Sequence, residues 1–359
     1  VWGVCPARYE RTGPYHQNPA HFAPSHRGGR VRGRGPPSPP SAAALPWFMS
    51  VFESLYAAGM VAVRRLSPTV SGRAGKFGRG VDGRRTALES LERWAEAHRD
   101  PARPLLWVHA PSVGEGLQAR AVIESAQSRV PDRFQWVFTH FSPSAEGLAN
   151  RMPVDWSGYL PWDVERDVTR ALAALRPSVV AFTKTEVWPV LSRTAAAWGV
   201  PTALLAGTLP ASSSRVAFPA RPVLRPSMER LQLVAAIAEA DADRFVATGA
   251  RPEVVRVVGD PGVDSAAQRA AAADPRAPFL RPFHDRPRPT LVAGSTWPAD
   301  EAVLVPALTA VRSRMPELRL IAAPHEPDAG HVEPLLAALR REGWDTVTLG
   351  QVEAGATLE

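Results

Sequence analysis

From about residue 100 onward the chain alternates short apolar runs with segments of helical period, and this alternation restricts the fold more than any other feature. It predicts strands at 104–109, 135–140, 178–183, 201–206, 231–237 and 254–259, with helices at 117–129, 164–175, 187–198 and 240–248. A strand–helix alternation of this kind builds a parallel sheet with helices on both faces. Residues 266–289 are rich in Ala and then Pro and read as an interdomain linker. A second series follows: strand 290–295, helix 300–313, strand 318–323, helix 328–342 and strand 345–349. A doubly wound domain has five or six strands, so residues 290–359 read as a partial, truncated second domain.

Ligands of an open α/β sheet bind outside the carboxyl ends of its strands, so the strand ends are where chemistry is expected. Residues 107–116 read Trp-Val-His-Ala-Pro-Ser-Val-Gly-Glu-Gly. The apolar run breaks at Pro111 and Gly114, and Glu115 falls where a strand gives way to a helix. The positive end of the helix dipole favours an ionised carboxylate there, and an ionised carboxylate at a crevice mouth suits a general base. The rival reading is a structural cap. Ser112 and Gly114 share this turn. His109 reads as a packed strand residue.

A second strand end carries Thr183-Lys184-Thr185-Glu186-Val187-Trp188-Pro189, a cation and a carboxylate before a helix. A surface ion pair is the alternative. Lys184 is one of two lysines against forty arginines, so a lysine here is not the default cation. A third end, Gly207 to Arg215, offers Thr208 and Ser212 to sugar hydroxyls or a carboxylate, with a helix cap as the alternative. In the second series, Gly294, Ser295 and Thr296 form a turn of small residues through which backbone N–H groups can approach a phosphate. Pro324, His325 and Glu326 end the next strand. His325, Glu326 and His331 lack regular metal-ligand spacing, so no metal is expected, nor any other cofactor. No Gly-x-Ser-x-Gly elbow offers a serine nucleophile.

Charge is placed unevenly. Residues 1–45 carry a formal +5 and residues 46–90 a further +4, leaving −2 for the rest. The globular body is therefore not expected to bind nucleic acid; the basic part suits a local encounter with something anionic. Residues 1–45, rich in Pro, Gly and Arg, read as a disordered extension. Residues 46–66 begin with an apolar run of about eighteen residues, at the lower limit for a bilayer span. With its basic flank it reads as an anchor in or on an anionic leaflet, the alternative being a helix packed on the body. Cys5 is the lone cysteine, so no disulfide framework exists.

Taken in order, these segments resemble the 3-deoxy-D-manno-octulosonic acid (Kdo) transferases of lipopolysaccharide inner-core synthesis. The resemblance rests on Trp107–Glu115, Leu160-Pro161-Trp162-Asp163, Lys184–Pro189, Asp241–Gly249, Gly259–Asp264, Gly294–Glu301 and Pro324–Glu326. It implies a GT-B glycosyltransferase, with two Rossmann-like domains facing a cleft. Residues 67–265 would form the acceptor domain and residues 290–359 part of the CMP-sugar domain. The implied reaction moves Kdo from CMP-Kdo to a lipid A precursor, with inversion and without a required metal, at the cytoplasmic face of the inner membrane. Glu115 would be the general base, and Lys184 and Glu186 would steady the carboxylate and the transition state. Gly294, Ser295, Thr296, Pro324, His325 and Glu326 would lie at the CMP. The resemblance leaves two alternatives open: a non-catalytic remnant that binds lipid or sugar, and another GT-B enzyme such as a lipid A disaccharide synthase.

Overall fold

The computed structural model describes residues 50–70, 72, 75–216 and 220–356. The extension expected at 1–45 lies outside them. The chain divides after Ser265 into two units.

The first unit is built on a parallel sheet of β1 (Leu105–His109), β2 (Gln135–His140), β3 (Trp156–Tyr159), β4 (Val179–Thr183), β5 (Thr202–Gly207), β6 (Leu233–Ala236) and β7 (Val255–Val257). Their spatial order is β3-β2-β1-β4-β5-β6-β7. Helices α1 (Val51–Leu66), α2 (Lys76–His98), α3 (Val113–Arg129), α4 (Glu146–Ala149), α5 (Glu165–Leu175), α6 (Pro189–Ala197), α7 (Ala220–Glu229) and α8 (Glu239–Thr248) accompany it, and the division falls within α9 (Pro261–Ala272). Side chains alternate along a strand, and β1 shows why its run is apolar throughout. Leu105 and Trp107 enter the core on one face of the sheet, and Val108 enters the core on the other. Covered on both faces, a parallel strand has no polar side to show.

Six strands fall where the sequence predicts them. β3 is an addition: Ser157 and Gly158 interrupt the strand signal of Trp156 and Tyr159, but the free edge of β2 pairs with it from Val137 to His140. Helix α2 is the other addition. Gly83 on α2 has no room for a side chain, because a Cβ there would meet the Tyr159 ring of β3 at 2.2 Å.

Helix α1 is packed on the body, and no described helix is long and apolar enough to cross a membrane. The expected anchor is thereby corrected on one face. Glu53 completes a capping box with Ser50 and holds Arg230 of α7's C-terminal flank through two bonds of 2.7 and 3.2 Å. Both side chains are buried. Tyr56 donates to Asp163 at 3.0 Å, and Arg64 pairs with Asp167 at 2.7 Å. A carboxylate so deep on the protein side has no place in a bilayer-spanning surface. The outward face keeps Val51, Leu55 and Leu66 at 73%, 64% and 63% exposure.

Asp163, the last residue of Leu-Pro-Trp-Asp, has a structural task. Its carboxylate accepts the backbone N–H groups of Val190 and Leu191 at 3.0 and 2.8 Å, capping α6 from 27 residues away. Burial pushes its pKa up to about 6 against these bonds.

In the second unit, β8 (Thr290–Thr296) and β9 (Arg319–Pro324) pair in parallel. Helices α10 (Arg281–Asp285), α11 (Pro298–Arg312), α12 (Ala329–Arg341) and α13 (Leu349–Glu353) complete the described residues. A small core joins Val305, Leu335 and Leu339 to Leu320, Ala322 and Trp344. The strand expected at 345–349 does not form. Thr348 instead caps α13, accepting from Gln351 N at 3.2 Å. β-branched residues become a strand only where an edge receives them. Within 266–289, the expected linker contains the end of α9 and all of α10.

Two outcomes follow. Glu53→Ala leaves Arg230 buried without a partner and should cost about 3–5 kcal/mol in urea unfolding. The double change Glu53→Met with Arg230→Met should recover most of it. For Asp163, the folded pKa lies above the unfolded one, so its contribution is fully present below pH 4 and is lost as pH rises through about 6. Stability of the wild type relative to Asp163→Asn should therefore fall by up to about 3 kcal/mol from pH 4 to 7. A constant difference across that range would contradict the assignment.

Candidate functional site

The candidate residues of the first unit gather on the carboxyl-terminal rim of its sheet. β1 lies between β2 and β4, and β4 lies beside β5. The chain runs outward from β1 through β2 to β3, then returns to β4 on the other side of β1. The gap between β1 and β4 is the topological switch point, where crevices of this architecture open. Glu115 follows β1, Lys184 and Glu186 follow β4, and Thr208, Ser212 and Arg215 follow β5.

Glu115 stands in the first turn of α3, with Ser112 at the N-cap. Ser112 does not cap through its side chain. Its hydroxyl donates to Glu115 Oε2, and its carbonyl accepts from Gly116 N at 2.9 Å. Among the described residues Oε1 of Glu115 has no partner, so one carboxylate oxygen is oriented and the other is open. Gly114 is exposed and leaves the approach clear.

Lys184 takes a left-handed backbone, φ +59°, which costs a non-glycine residue about 1–2 kcal/mol. Its N–H is held by Leu205 O at 2.9 Å. The pairing of Lys184 with Glu186 suggested by the sequence is not what forms. Glu186 pairs with Arg215, and Lys184 makes no ion pair among the described residues. Arg215 was quoted in the third segment but not singled out there; it becomes a site residue because β5 lies beside β4. The loop carrying it is pinned by the Asp-x-x-Arg of α8. Asp241 accepts from Leu209 N at 2.8 Å, and Arg244 binds both Asp241 and Leu209 O. Thr208 turns its hydroxyl back to Ala206 O at 3.1 Å. Ser212 is exposed and makes no hydrogen bond among the described residues.

Beneath this rim lies a buried polar network. His109 is fully buried. Trp188 Nε1 donates to His109 Nε2 at 2.9 Å. An indole N–H can only donate, so the ring proton of His109 belongs on Nδ1, which meets Thr139 Oγ1 at 3.0 Å. Trp107 Nε1 reaches the same oxygen at 3.0 Å, and Thr183 Oγ1 donates to His109 O at 3.1 Å. Burial, then His140 and Arg84 nearby, press the His109 pKa down to about 3. The ring is neutral and ties the end of β1 to the segment after β4. A cleft at the opposite, amino-terminal end of the strands, lined by Arg103, Phe134, Trp136 and Asp155, holds none of these residues.

In the second unit, the turn expected at Gly294–Thr296 is instead the bulged end of β8, where the register shifts between Gly294 and Thr296 and Ser295 is left-handed at φ +61°. The Ser295 hydroxyl meets His325 Nδ1 at 2.7 Å. His325 stacks on Trp297, ring centroids 4.5 Å apart, and its N–H bonds Thr296 O at 2.8 Å. Thr296 Oγ1 donates to Glu301 at 2.8 Å. Gly294, Ser295, Thr296, Pro324 and His325 thus meet at the paired ends of β8 and β9. Glu326 is grouped differently, with Asp328 and His331, whose ligand atoms lie within 4.8 Å of one another. Asp328 is the N-cap of α12 and pairs with the His331 ring at 2.8 Å. Trp297 is the residue here that sequence reasoning passed over, though it stood inside the quoted segment.

Residues 88–265 match the family model described as 3-deoxy-D-manno-octulosonic-acid transferase. A 3-deoxy-D-manno-octulosonic acid transferase of Haemophilus influenzae is 23% identical over 229 residues, covering 63% of this chain and 53% of the relative. One described as probable and mitochondrial, from Arabidopsis thaliana, is 28% identical over 181 residues, covering 48% and 40%. The chain spans about half the length of the curated relatives it matches. Among solved structures, the UDP-GlcNAc 2-epimerase of Neisseria meningitidis matches with a TM-score of 0.50 at 12% identity, covering 70% of this chain and 74% of that one. The epimerase of Methanocaldococcus jannaschii matches with a TM-score of 0.50 at 11% identity, covering 66% and 70%. These likenesses give the fold, an α/β architecture of the GT-B type. The carboxylate turn after β1 and the Lys-Thr-Glu segment after β4 both lie inside the matched span, and residues 88–265 belong to the 3-deoxy-D-manno-octulosonic acid transferase family.

Proposed function

We propose that this protein is an inverting glycosyltransferase that moves Kdo from CMP-Kdo to a hydroxyl of a lipid A precursor in lipopolysaccharide synthesis. The observation that carries the reading is the placement of Glu115 and Lys184–Glu186 on the adjacent strand ends that flank the switch point. Membership of residues 88–265 in the family supports it. Inversion requires one base to take the acceptor proton while the sugar–phosphate bond breaks. Glu115 is oriented by Ser112 through one oxygen and has the other open to the acceptor hydroxyl. Lys184, whose backbone N–H is held by Leu205 O, supplies positive charge on the adjacent strand end. Glu186 fixes Arg215 as a second cation on the same rim. The CMP phosphate would be received in the second unit by the bulged end of β8, Gly294–Thr296, with His325 and Trp297 beside it. Fixed donors on a leaving phosphate act where charge develops.

The acceptor is an amphiphile, and α1 fits its surroundings. We infer that α1 lies in the plane of an anionic membrane surface rather than through it. Its inward face is fastened by Glu53, Tyr56 and Arg64. Its outward face keeps Val51, Leu55 and Leu66 exposed, with Arg65 at the basic end. A helix of this composition binds the headgroup boundary through its apolar side and its cations.

Glu115→Ala, in the full-length protein, should lower transfer from CMP-Kdo to a lipid A precursor by about 10²–10⁴-fold while circular dichroism stays unchanged. Retention of more than about a tenth of the rate would remove Glu115 from the role. Leu55→Glu combined with Leu66→Glu should weaken co-sedimentation with anionic phospholipid vesicles by about tenfold or more, since each exposed leucine can contribute about 1.5–3 kcal/mol on burial. Equal sedimentation of variant and wild type would exclude α1 from the contact.

A further inference from the structure

Among the described residues of the first unit, Arg84 is a buried cation without a counter-ion. Its neighbours among the buried arginines show the contrast. Arg230 is held by Glu53 through two bonds. Arg84, 9% exposed, has no carboxylate within ion-pair distance among the described residues. Among the described residues its one hydrogen bond goes from Nη2 to Phe141 O at 3.0 Å. The guanidinium lies 3.3 Å from the centroid of the Phe141 ring and 5.3 Å from that of Trp162. Nε and Nη1 have no acceptor among the described residues, yet neither is sealed from solvent, unlike Arg103 Nε.

Stacking engages the face of a guanidinium and leaves its N–H groups pointing outward in the plane. Arg84 is therefore held flat by aromatic rings, with most of its donors left without a partner among the described residues. An unpaired buried charge is expensive, and here burial draws the Arg84 pKa down to about 10. The side chain still carries its charge at neutral pH.

Through Phe141, Arg84 is tied to the rim that carries Glu115. Phe141 and Ser142 both donate their backbone N–H groups to Pro111 O, at 3.2 and 2.8 Å. The Phe141 ring lies 5.1 Å from that of Trp188. His140 and Tyr159, with ring centroids 4.2 Å apart, line the same corner. The hydroxyl of Tyr159 is committed to Glu146 at 2.5 Å, and His140 Nδ1 meets Ser142 O at 3.1 Å. Glu146 is thus occupied by Tyr159 and does not neutralise Arg84.

We propose that Arg84 is an oxyanion-binding residue that receives a substrate phosphate or carboxylate beside the Pro111–Glu115 turn. The substrate part of this proposal rests on the transferase reading above. An anion there would accept the free in-plane N–H groups and supply the missing counter-charge. Charge-assisted bonds of this kind are roughly twice as strong as neutral ones.

The first test does not depend on transferase activity. Inorganic phosphate at millimolar concentration, at constant ionic strength, should raise the melting temperature of the wild type. Arg84→Met, which keeps the stem against Phe141, should abolish that rise, and Arg84→Lys should retain part of it. No phosphate-dependent rise in the wild type, or an equal rise in Arg84→Met, would overturn the proposal. Should Arg84→Met fail to fold, the comparison of wild type with Arg84→Lys carries the test: an undiminished rise in Arg84→Lys overturns it. The second test uses turnover. Arg84→Met should raise KM about 10–100-fold for whichever substrate carries the anion, with kcat changed much less. If the increase is found for a phosphorylated acceptor and vanishes for its dephosphorylated form, the anion is the acceptor phosphate. If it is found for the CMP-sugar, the anion belongs to the donor. Unchanged KM for both overturns the substrate assignment. A wild type that binds phosphate through Arg84 but transfers no Kdo would refute the transferase reading and leave the oxyanion site standing.

Discussion

The hydrogen bond from Trp188 to His109 is the constraint on which the rim depends. It joins the last residue of β1 to the segment after β4, across the point where the order of strands reverses. Neither side can move alone. If the indole withdraws, Nε2 of a fully buried ring loses its donor, which costs about 1–3 kcal/mol in an interior without water. The bond also sets the ring's tautomer and so commits Thr139 to receive both His109 and Trp107. One contact thereby couples β1, β2 and β4 at their carboxyl ends. The Pro111–Glu115 turn and the Lys184–Trp188 segment inherit their relative positions from it.

The same ends store backbone strain. Lys184, Ala206 and Ser295 are left-handed without being glycine, with φ of +59°, +50° and +61°. Each stands at or near the carboxyl end of a strand, β4, β5 and β8. Strain of this kind persists only where its surroundings over-determine it, and the determinants are visible. Leu205 O holds Lys184 N, Asp241 and Arg244 hold Leu209, and His325 holds the Ser295 hydroxyl. The sheets are regular until the residues where a ligand would arrive.

Much of this could be read from the sequence, for identifiable reasons. A strand buried on both faces is an unbroken apolar run, so β1, β2, β4, β5 and β6 stood out. β3 did not, because Ser157 and Gly158 carry no strand signal and pairing with β2 alone decides them. Helix α2 was hidden by Gly78, Gly80 and Gly83, the last of which is required by its approach to Tyr159. The segment 345–349 erred the other way, since its β-branched residues find no edge and Thr348 serves a helix cap instead. Glu115 was legible because a strand-to-helix turn is a local pattern. The partnerships around it were not. Trp188 and His109 are 79 residues apart, and Arg230 and Glu53 are 177 apart. Glu186 stands two residues from Lys184 in the sequence, whereas adjacency of β4 and β5 gives it to Arg215.

That exchange of partners bears on how two carboxylates on one rim can divide a reaction. A base must present a free lone pair to the proton it takes, in a fixed direction. Glu115 has a hydroxyl on one oxygen and none of the described residues on the other. Glu186 has a guanidinium on its carboxylate, so its interaction is already spent on holding Arg215. Under the proposed reaction the two acids are therefore unequal before any substrate binds. Glu115 is left to take the proton, while Glu186 converts a mobile arginine into a fixed cation. With Lys184 after β4 and Arg215 after β5, the rim then carries two cations along the β4–β5 side of an open carboxylate. That arrangement draws an anionic substrate in while leaving one basic oxygen to meet its hydroxyl.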